Sequence, residues 1–387
     1  MRKNIQYKKL GDICDFISGG TPSKSKIEYW KDGKIPWIKI SDFKKKYIKI
    51  SDEKITKSGL ENSSAKILKK GTILYTIFAS VGKVAILDIE ATTNQAIVGI
   101  DLKGNNLLDK DFLYYFLCSI ENNIKKQARG VAQNNINISI LKNISIPILS
   151  MSLQKNIVKT LNKLEDILEN FKQKKLLINF LNKSLFTRMF GDIRTNSKNW
   201  ETKKIDECIL NNIENINLKI NGEIAYIDIS SINNKENKIF SCKIYNNINE
   251  APSRAKKILN EGDILISTVR PNLKNIAILN NKILPLTIGS TGFCVLRFKD
   301  IINNKYIFEI IKSDNFTEML VKKQIGANYP AISDRDIKLI EIPVPPIELQ
   351  NKFAERVEKI EKLSFEIEKS IKEAENLYNS LINKYFD

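Results

Sequence analysis

The sequence has 387 residues, 42% of them hydrophobic, which predicts an ordered protein of two or three compact units. Histidine is absent, and this excludes Ser-His-Asp catalysis, Cys-His catalysis and histidine-ligated metal sites within the chain. The net charge of +18 favours a polyanionic partner, with a coding bias towards lysine as the alternative explanation. The five cysteines are widely spaced, which predicts no disulfide framework or metal site and favours a reducing environment. The sequence shows no apolar leader or membrane span, so we expect a cytoplasmic location and no membrane partner.

Two stretches near the start of the chain are candidates for contact with nucleic acid. The stretch "GGTPSKSKIEYW" combines glycines with hydroxyl and basic residues, so its backbone N–H groups and lysines could approach a phosphate. The stretch "DFKKKYIK" places three lysines beside aromatic residues. A solvated hairpin turn and a solvated charged face are the alternatives. The candidate DNA-binding residues in these stretches are Thr21, Ser23, Lys24, Lys26, Lys44, Lys45 and Lys46.

The rest of the first half alternates between strand-like and helical runs. The runs "GTILYTI" and "VAILDI" are typical of buried strands, and "KDFLYYFLCSIENNIKKQ" is typical of a helix. We therefore predict an α+β domain. The stretch "GVAQNNINI" then presents amide side chains, either for DNA contact or as a tight connector, and its candidates are Gln133 and Asn134.

The second half repeats this mixture of runs and adds three further candidate stretches. "DILIST", "NIAIL" and "GFCVLRF" are strand-like, and "KYIFEIIKSDNFTEMLVKKQ" is helical. Arginine and asparagine are the side chains that bind guanine and adenine edges through paired hydrogen bonds. The candidates in "APSRAKKI", "STVRPNLKN" and "GANYPAIS" are Arg254, Lys256, Lys257, Arg270, Asn272, Lys274, Asn328 and Tyr329.

Each half ends in a long amphipathic run. Apolar residues alternate at intervals of four and three, which is the spacing of a coiled-coil seam. Each run would form a helix roughly 60 Å long, and the simplest arrangement is an antiparallel pair. Lys175 and Asn182 interrupt the first seam and would fix its register. The main seam residues are Leu161, Leu164, Leu168, Phe171, Val357, Ile360, Ile367 and Ile371.

The two halves align with each other at an offset of 196 residues. "ISIPILSMSLQ" falls on "IEIPVPPIELQ" without a gap, and "IPWIKIS" resembles "IAYIDIS" further upstream. The chain is therefore a direct tandem repeat of one plan. We predict a first domain at 1–149, a first helix at 150–192, a second domain at 193–345 and a second helix at 346–387.

Catalytic motifs are absent from the sequence. No G-x-G occurs, so dinucleotide and methyltransferase cofactor loops are excluded, and "GGTPSKS" lacks the G-K-[ST] ending of a phosphate loop. "VPPI" begins with Val344, which cannot hydrogen-bond an adenine amino group. We expect a binding protein and not an enzyme.

Four stretches together resemble the specificity subunit of type I restriction–modification systems. They are "LGDICDFISGGTPSKSKIEYWKDGKIPWIKISD", "TNQAIVGI", "APSRAKKILNEGDILISTVRPNLKNIAIL" and "GANYPAISDRDIKLIEIPVPPIELQNKF". The resemblance implies that each half is a target-recognition domain for one part of a split DNA sequence. It implies that the helices set the gap and dock two methyltransferase subunits. It also implies that S-adenosylmethionine, ATP and magnesium belong to methyltransferase and restriction or translocase partners, with no cofactor in this chain.

The sequence departs from an even repeat in two places. The first junction lacks the double proline of the second, and the first domain shows no counterpart of "PSRAKK" or "VRPNLKN". We therefore expect the two domains to bind different sequences, so that the target is asymmetric. A stand-alone DNA-binding regulator and a coiled-coil scaffold for proteins are the alternatives.

Overall fold

The computed structural model describes residues 5–104, 107–121, 124, 136–210, 213–217, 221–326 and 330–386. The chain forms two compact units. The first comprises Met1–Lys172 and Lys369–Asp387, and the second comprises Gln173–Glu368. Each unit therefore contains one globular part and a portion of each long helix.

The first unit is built on three small sheets. The largest has five strands in the order Cys14–Ser18, Ile97–Leu102, Ile73–Thr76, Val84–Leu87 and Tyr47–Ile48. A three-stranded sheet has the order Glu53–Ile55, Ile35–Ile38 and Thr92–Thr93, and Gln6–Lys9 pairs antiparallel with Ser145–Ile148. The described helices of the globular part are Leu10–Ile13, Lys57–Glu61, Lys110–Ser119 and Ile138–Asn143, with short 3-10 helices at Ile27–Tyr29 and Ile40–Asp42.

The core of the first unit includes residues of both long helices. Tyr75 of the central strand and Phe112 of the following helix are fully buried, together with Leu161 of the first long helix. The second long helix contributes Ile382 and Phe386, and the Phe386 ring centroid lies 5.1 Å from that of Phe112. Burying these side chains fixes the globular part to the helices.

The second unit repeats the same plan. A four-stranded sheet has the order Lys243–Asn247, Asn221–Ile227, Thr287–Ser290 and Ala255–Ile258. A three-stranded sheet has the order Ile276–Ile278, Ile264–Ser267 and Phe293–Leu296. Two further pairs join Ile232–Asn233 to Lys238–Ile239 and Thr202–Lys204 to Glu341–Pro343. The described helices of its globular part are Ile205–Cys208, Asn304–Ile311, Asp314–Lys323 and Asp334–Lys338, with 3-10 helices at Ile229–Ser231, Ile248–Glu250 and Pro271–Leu273.

Aromatic side chains form the centre of the second core. The Phe190 ring centroid lies 4.6 Å from that of Tyr306 and 5.3 Å from that of Phe353. Phe190 and Phe186 belong to the first long helix, whereas Phe353 belongs to the second. The globular part again packs on both helices, so the tandem α+β repeat predicted from the sequence is confirmed.

The two long helices are Met151–Phe190 and Ile347–Phe386, each of 40 residues. Every predicted seam position is buried or half-buried, as expected for a coiled-coil core. No described helix, these two included, is both long enough and apolar enough to cross a membrane.

The helices run antiparallel within each unit. In the first unit, Tyr378 donates a 3.3 Å hydrogen bond to Glu165 and Lys172 lies 3.4 Å from Glu375. In the second unit, Lys175 lies 2.9 Å from Glu368, and Phe186 and Phe190 pack on Phe353. Within each unit, residues further along the first long helix contact residues earlier in the second long helix. This order confirms the predicted antiparallel pair.

A buried glutamine connects the start of each long helix to its globular part. Gln154 donates to the carbonyl oxygens of Leu107 and Leu149 at 2.9 and 2.8 Å and accepts from Asp109 N–H at 2.8 Å. Its amide is fully satisfied in an interior where an unpaired amide would be costly.

Gln350 makes the equivalent bonds in the second unit. It donates to the carbonyl oxygens of Ile301 and Pro345 at 3.2 and 2.7 Å and accepts from Asn303 N–H at 2.8 Å. The repeated Leu-Gln pair of the sequence is therefore explained by one hydrogen-bonding arrangement used twice.

Candidate nucleic-acid interface

The glycines of "GGTPSKS" serve the fold and not a phosphate. Gly19 N–H donates to Ile97 O at 3.1 Å, and Gly20 N–H donates to Thr93 O at 2.8 Å. A Cβ on Gly20 would lie 2.3 Å from the Ala65 nitrogen, so only glycine fits this close approach. The N–H groups of these two glycines are therefore not available to a phosphate, and phosphate contact by the rest of the loop stays a prediction.

The side chains after the two glycines form an exposed basic and aromatic surface. Lys24 is 67% exposed, and its ammonium lies 5.4 and 5.5 Å from the ring centroids of Trp30 and Trp37. Lys26 donates a 2.9 Å hydrogen bond to the Tyr29 hydroxyl, and this bond raises the pKa of the lysine. Lys24 also has a long contact of 4.0 Å to Glu53. The aromatic rings add no charge of their own, and both lysines stay exposed, which suits contact with an anion.

The two hydroxyl candidates in this loop bond within the protein. The Thr21 hydroxyl donates to the Gln95 side chain, and the Ser23 hydroxyl lies 2.8 Å from that of Ser25. Their contribution to the surface is to hold the loop that presents Lys24.

The lysine run at 44–46 divides into two environments. Lys44 and Lys45 are 73% and 75% exposed and have only long contacts, of 3.8 Å to Asp52 and 3.6 Å to Glu169. The Lys46 side chain is 11% exposed, and its ammonium donates to Asn162 at 2.7 Å and lies 3.0 Å from Asp111. We leave Lys46 out of the proposed DNA surface, because its charge is buried and already paired.

Lys46 belongs to a buried polar cluster that holds the first globular part on the helices. The Tyr115 hydroxyl lies 2.6 Å from Asn162 Oδ1 and 2.9 Å from Glu165 Oε2, so its one proton is shared between these two acceptors. Tyr378 of the second long helix donates to Glu165 at 3.3 Å. Burial raises the pKa of Glu165 and of both tyrosines. The groups satisfy one another, so this arrangement is structural.

The basic stretch at 254–257 in the second unit also has two sides. Arg254 and Lys256 are exposed. The Lys257 side chain is 18% exposed and donates to Phe293 O at 2.6 Å and to Asp334 at 3.0 Å. The strand Ala255–Ile258 has a register shift between Ala255 and Lys257, and such an irregularity re-aims side chains locally. Arg254 and Lys256 remain candidates for DNA contact, and Lys257 is left out.

The structure brings two separate stretches of the second half together. Arg270 N–H donates to Pro330 O at 2.7 Å, and Ile332 N–H donates to Thr268 O at 2.9 Å. The "VRPN" turn therefore lies against the segment that follows "GANY". Arg270 and Asn272 are exposed, whereas Lys274 pairs with Asp314. The candidates Gln133, Asn134, Asn328 and Tyr329 lie outside the described residues.

A hairpin turn occupies equivalent places in both units. We define it as residues 77–83 in the first and 268–275 in the second. It follows the strand Ile73–Thr76 in the first unit and the strand Ile264–Ser267 in the second. The carbonyl oxygen of its first residue accepts a hydrogen bond from a segment just before a later helix, from Ile136 N–H to Ile77 O in the first unit and from Ile332 N–H to Thr268 O in the second.

The two hairpin turns share left-handed residues at two positions, although the second turn is one residue longer. Ala79 and Arg270 are left-handed, with φ of 60° and 50°, and so are Gly82 and Lys274, with φ of 96° and 53°. The first domain has no sequence counterpart of "VRPNLKN", but its structure has a turn at the equivalent place. The signal in the sequence is the match of "ILYT" with "ILIS" before each turn, since the turn residues themselves differ.

The second unit has an open cleft of about 1440 Å³ between its globular part and its portions of the long helices. Charges of both signs line it and are largely paired, with Lys175 lying 2.9 Å from Glu368 and Lys305 lying 2.5 Å from Glu361. Such a lining has no electrostatic preference for a polyanion.

The outer face of the first long helix exposes a row of large apolar side chains. We call these the apolar helix face: Leu176, Leu177, Phe180 and Leu181, which are 53%, 65%, 70% and 51% exposed. They lie away from the seam, where a coiled coil is normally polar, and such exposed rows mark interaction surfaces.

The described part of the chain offers no cluster of metal ligands, and the thiols of Cys14 and Cys294 are deeply buried. No group of three acidic, cysteine or histidine side chains that could hold a metal occurs among the residues described. The cysteines are free, and burial raises the pKa of Cys14 and of Cys294 to about 12, so these thiols are unreactive at neutral pH.

A family model described as "Type I restriction modification DNA specificity domain" matches the chain twice, at residues 2–179 and 197–375. The two matches coincide with the tandem repeat seen in the sequence and in the fold.

Several curated proteins are similar to this chain. The type I restriction enzyme MjaIX specificity subunit of Methanocaldococcus jannaschii is 26% identical over 414 residues, covering 99% of this chain and 92% of that protein. The EcoR124I/EcoR124II specificity subunit of Escherichia coli is 31% identical over 169 residues, covering 42% of this chain and 41% of that protein.

Two solved structures share the fold. The S subunit of a type I restriction–modification system from M. genitalium has a TM-score of 0.57 at 18% identity, covering 100% of this chain and 97% of that one. A chain from a study of type I system assembly and conformational transition has a TM-score of 0.59 at 16% identity, covering 100% and 98%.

Proposed function

Because this chain belongs to the type I restriction–modification DNA specificity family, we propose that it is the subunit that binds a split, asymmetric DNA target for such a complex. The observation that carries the proposal is the duplicated domain. Each copy keeps the same helix attachment, through Gln154 or Gln350, while its exposed side chains differ. Two domains of the same fold with different exposed side chains can bind two different DNA half-sequences, as an asymmetric two-part target requires.

The DNA-contact residues of the proposal are the basic and amide candidates that the structure leaves exposed. In the first domain these are Lys24, Lys26, Lys44 and Lys45. In the second they are Arg254, Lys256, Arg270 and Asn272. Lysines at such surfaces supply phosphate contacts, and arginine and asparagine can also bind base edges.

The partners of the proposal are two methyltransferase subunits and, in the complete complex, restriction or translocase subunits. The apolar helix face is the surface where we place a methyltransferase subunit, because burying it would remove a row of large apolar side chains from water. S-adenosylmethionine, ATP and magnesium belong to those partners, and the complex acts in the cytoplasm.

The experiment that tests the proposal is methylation mapping. The chain is co-expressed with its neighbouring methyltransferase in a methylation-free host, and modified adenines are located by long-read sequencing. A split motif with a constant gap is expected. Exchanging residues 1–149 for those of another family member should change one half of the motif and leave the other half and the gap unchanged.

Two outcomes would contradict the proposal. A stable complex that methylates an undivided motif would show that the two domains do not bind separate half-targets. Tight, sequence-specific binding by the chain alone, with no complex formed, would favour the stand-alone regulator.

A further inference from the structure

Arg270 has a backbone conformation that residues with a side chain avoid. Its φ and ψ are 50° and 60°, in the left-handed region where Cβ crowds the neighbouring carbonyl oxygen. Glycine adopts this region without that crowding. The Arg270 side chain is exposed and contributes nothing to the core. A strained residue retained at the surface points to a use for its side chain.

The same strained position exists in the first unit with a different side chain. Ala79 has φ of 60° at the equivalent place of the hairpin turn. The fold therefore imposes the backbone in both units, while the side chain that leaves the turn differs between them.

The second left-handed residue of the turn, Gly82 or Lys274, makes contacts within the fold. A Cβ on Gly82 would lie 2.7 Å from Glu121 Cγ, and in the second unit Lys274 pairs with Asp314. One edge of the hairpin turn is thus packed against a helix. The edge that carries Ala79 or Arg270 is exposed.

Exposed apolar residues lie in the hairpin turn of Arg270 and in the segment bridged to it. Val269 and Leu273 of the turn are 36% and 43% exposed. Ile325 is 79% exposed and pairs with Ala331, which also pairs with Val269. A phosphate gains nothing from apolar neighbours, whereas base edges combine guanine acceptors for arginine with thymine methyl groups for apolar contact.

We propose that the side chain at the first left-handed position of the hairpin turn, Ala79 or Arg270, helps the two domains to bind different half-targets. In the second half-target, Arg270 donates hydrogen bonds to a guanine edge. This inference rests on the proposed function and names one residue of its specificity.

The test uses the full chain in complex with its methyltransferase, and methylation rates on duplexes with single base-pair changes. Arg270→Gly removes the side chain and relieves the left-handed strain. The preference for one G·C pair of the second half-target should fall about ten- to a hundredfold, with the first half-target unaffected. Arg270→Lys keeps the charge without the paired donors and should recover little of that preference.

Two further variants serve as controls. Asn199→Gly relieves an exposed left-handed residue of the same unit, with φ of 55°, outside the proposed surface, and should leave both half-targets unchanged. Ala79→Arg introduces the side chain into the first unit and should alter the preference in the first half-target only.

Each outcome decides the inference. A uniform loss on all duplexes, with a salt dependence smaller by about one charge, would show a phosphate contact and overturn it. Normal preference in Arg270→Gly would also overturn it. The wild-type complex separates the two proposals, since a split motif methylated by wild type upholds the proposed function whatever Arg270 does. Circular dichroism shows which variants fold, and Ala79→Arg tests the turn if Arg270→Gly does not.

Discussion

Gln154 and Gln350 show how single residues join each domain to its helix. Each side chain is fully buried, and each amide satisfies two carbonyl oxygens and one N–H group of the main chain. Sequence comparison marked both positions only as part of a repeated Leu-Gln pair. The reason for the repeat is visible only in the structure, where the bonds reach 45 and 47 residues back along the chain.

We predict that Gln350→Leu destabilises the second unit by about 2–5 kcal/mol, because it leaves one buried and two part-buried main-chain groups without their partner, at up to about 1–3 kcal/mol each before relaxation. The measurement is the free energy of unfolding from urea titration followed by circular dichroism. Lys352→Leu, at an exposed position two residues further on, is the control and should change stability little. Equal losses in both variants would refute the hydrogen-bonding explanation.

At the scale of elements, the long helices carry two kinds of apolar residue. The seam residues pack between the helices within each unit, with Lys175 paired to Glu368 where the apolar pattern is interrupted. The apolar helix face lies outside that seam and is exposed. Periodicity in the sequence predicted the seam because burial there repeats every three and four residues. It said nothing of the outer face, which is a short run of four apolar residues at helical spacing that does not continue along the helix as the seam does.

We predict that the double variant Leu177→Glu and Phe180→Glu prevents assembly with the methyltransferase but leaves the chain folded. Two charges on an interface that excludes water cost binding energy, whereas both side chains are already in water in the free chain, at 65% and 70% exposure. Co-purification and size-exclusion chromatography measure assembly. Ile50→Glu, which changes a 78% exposed apolar residue of the first domain, is the control. An intact complex in the double variant would place the docking surface elsewhere.

At the scale of the whole molecule, the net charge of +18 is the property most relevant to DNA. The cleft of the second unit is lined by both signs, so the excess positive charge resides on other surfaces, among them the exposed lysines near each domain's candidate stretches. Binding through several phosphate contacts releases counterions and weakens as salt rises.

We predict that DNA binding by the assembled complex falls about a thousandfold or more between 50 and 200 mM salt, as expected for six or more phosphate contacts. Lys256→Ala should weaken binding on every sequence alike and reduce the salt slope by about one. Fluorescence anisotropy over a salt series measures both. Lys372→Ala, an exposed lysine of the second long helix, should leave the slope unchanged. An affinity insensitive to salt would contradict a phosphate-binding surface.

The sequence by itself determined the tandem repeat, the α+β character of each half, the two seam helices and the absence of histidine chemistry. Repeats, periodic burial and composition are local or additive properties, so they can be recognised without coordinates. Tertiary structure decided which basic residues are available. Lys46 looks like its neighbours in the sequence, yet it is buried through contacts with Asn162, 116 residues away.

Tertiary structure also decided the equivalence of the two hairpin turns. Ala79 and Arg270 share no chemistry, but the strands before them place both in the same left-handed backbone. Backbone conformation at a turn is imposed by the strands and helices packed around it. Side-chain identity can therefore diverge where no packing constrains it, and sequence comparison does not detect the correspondence.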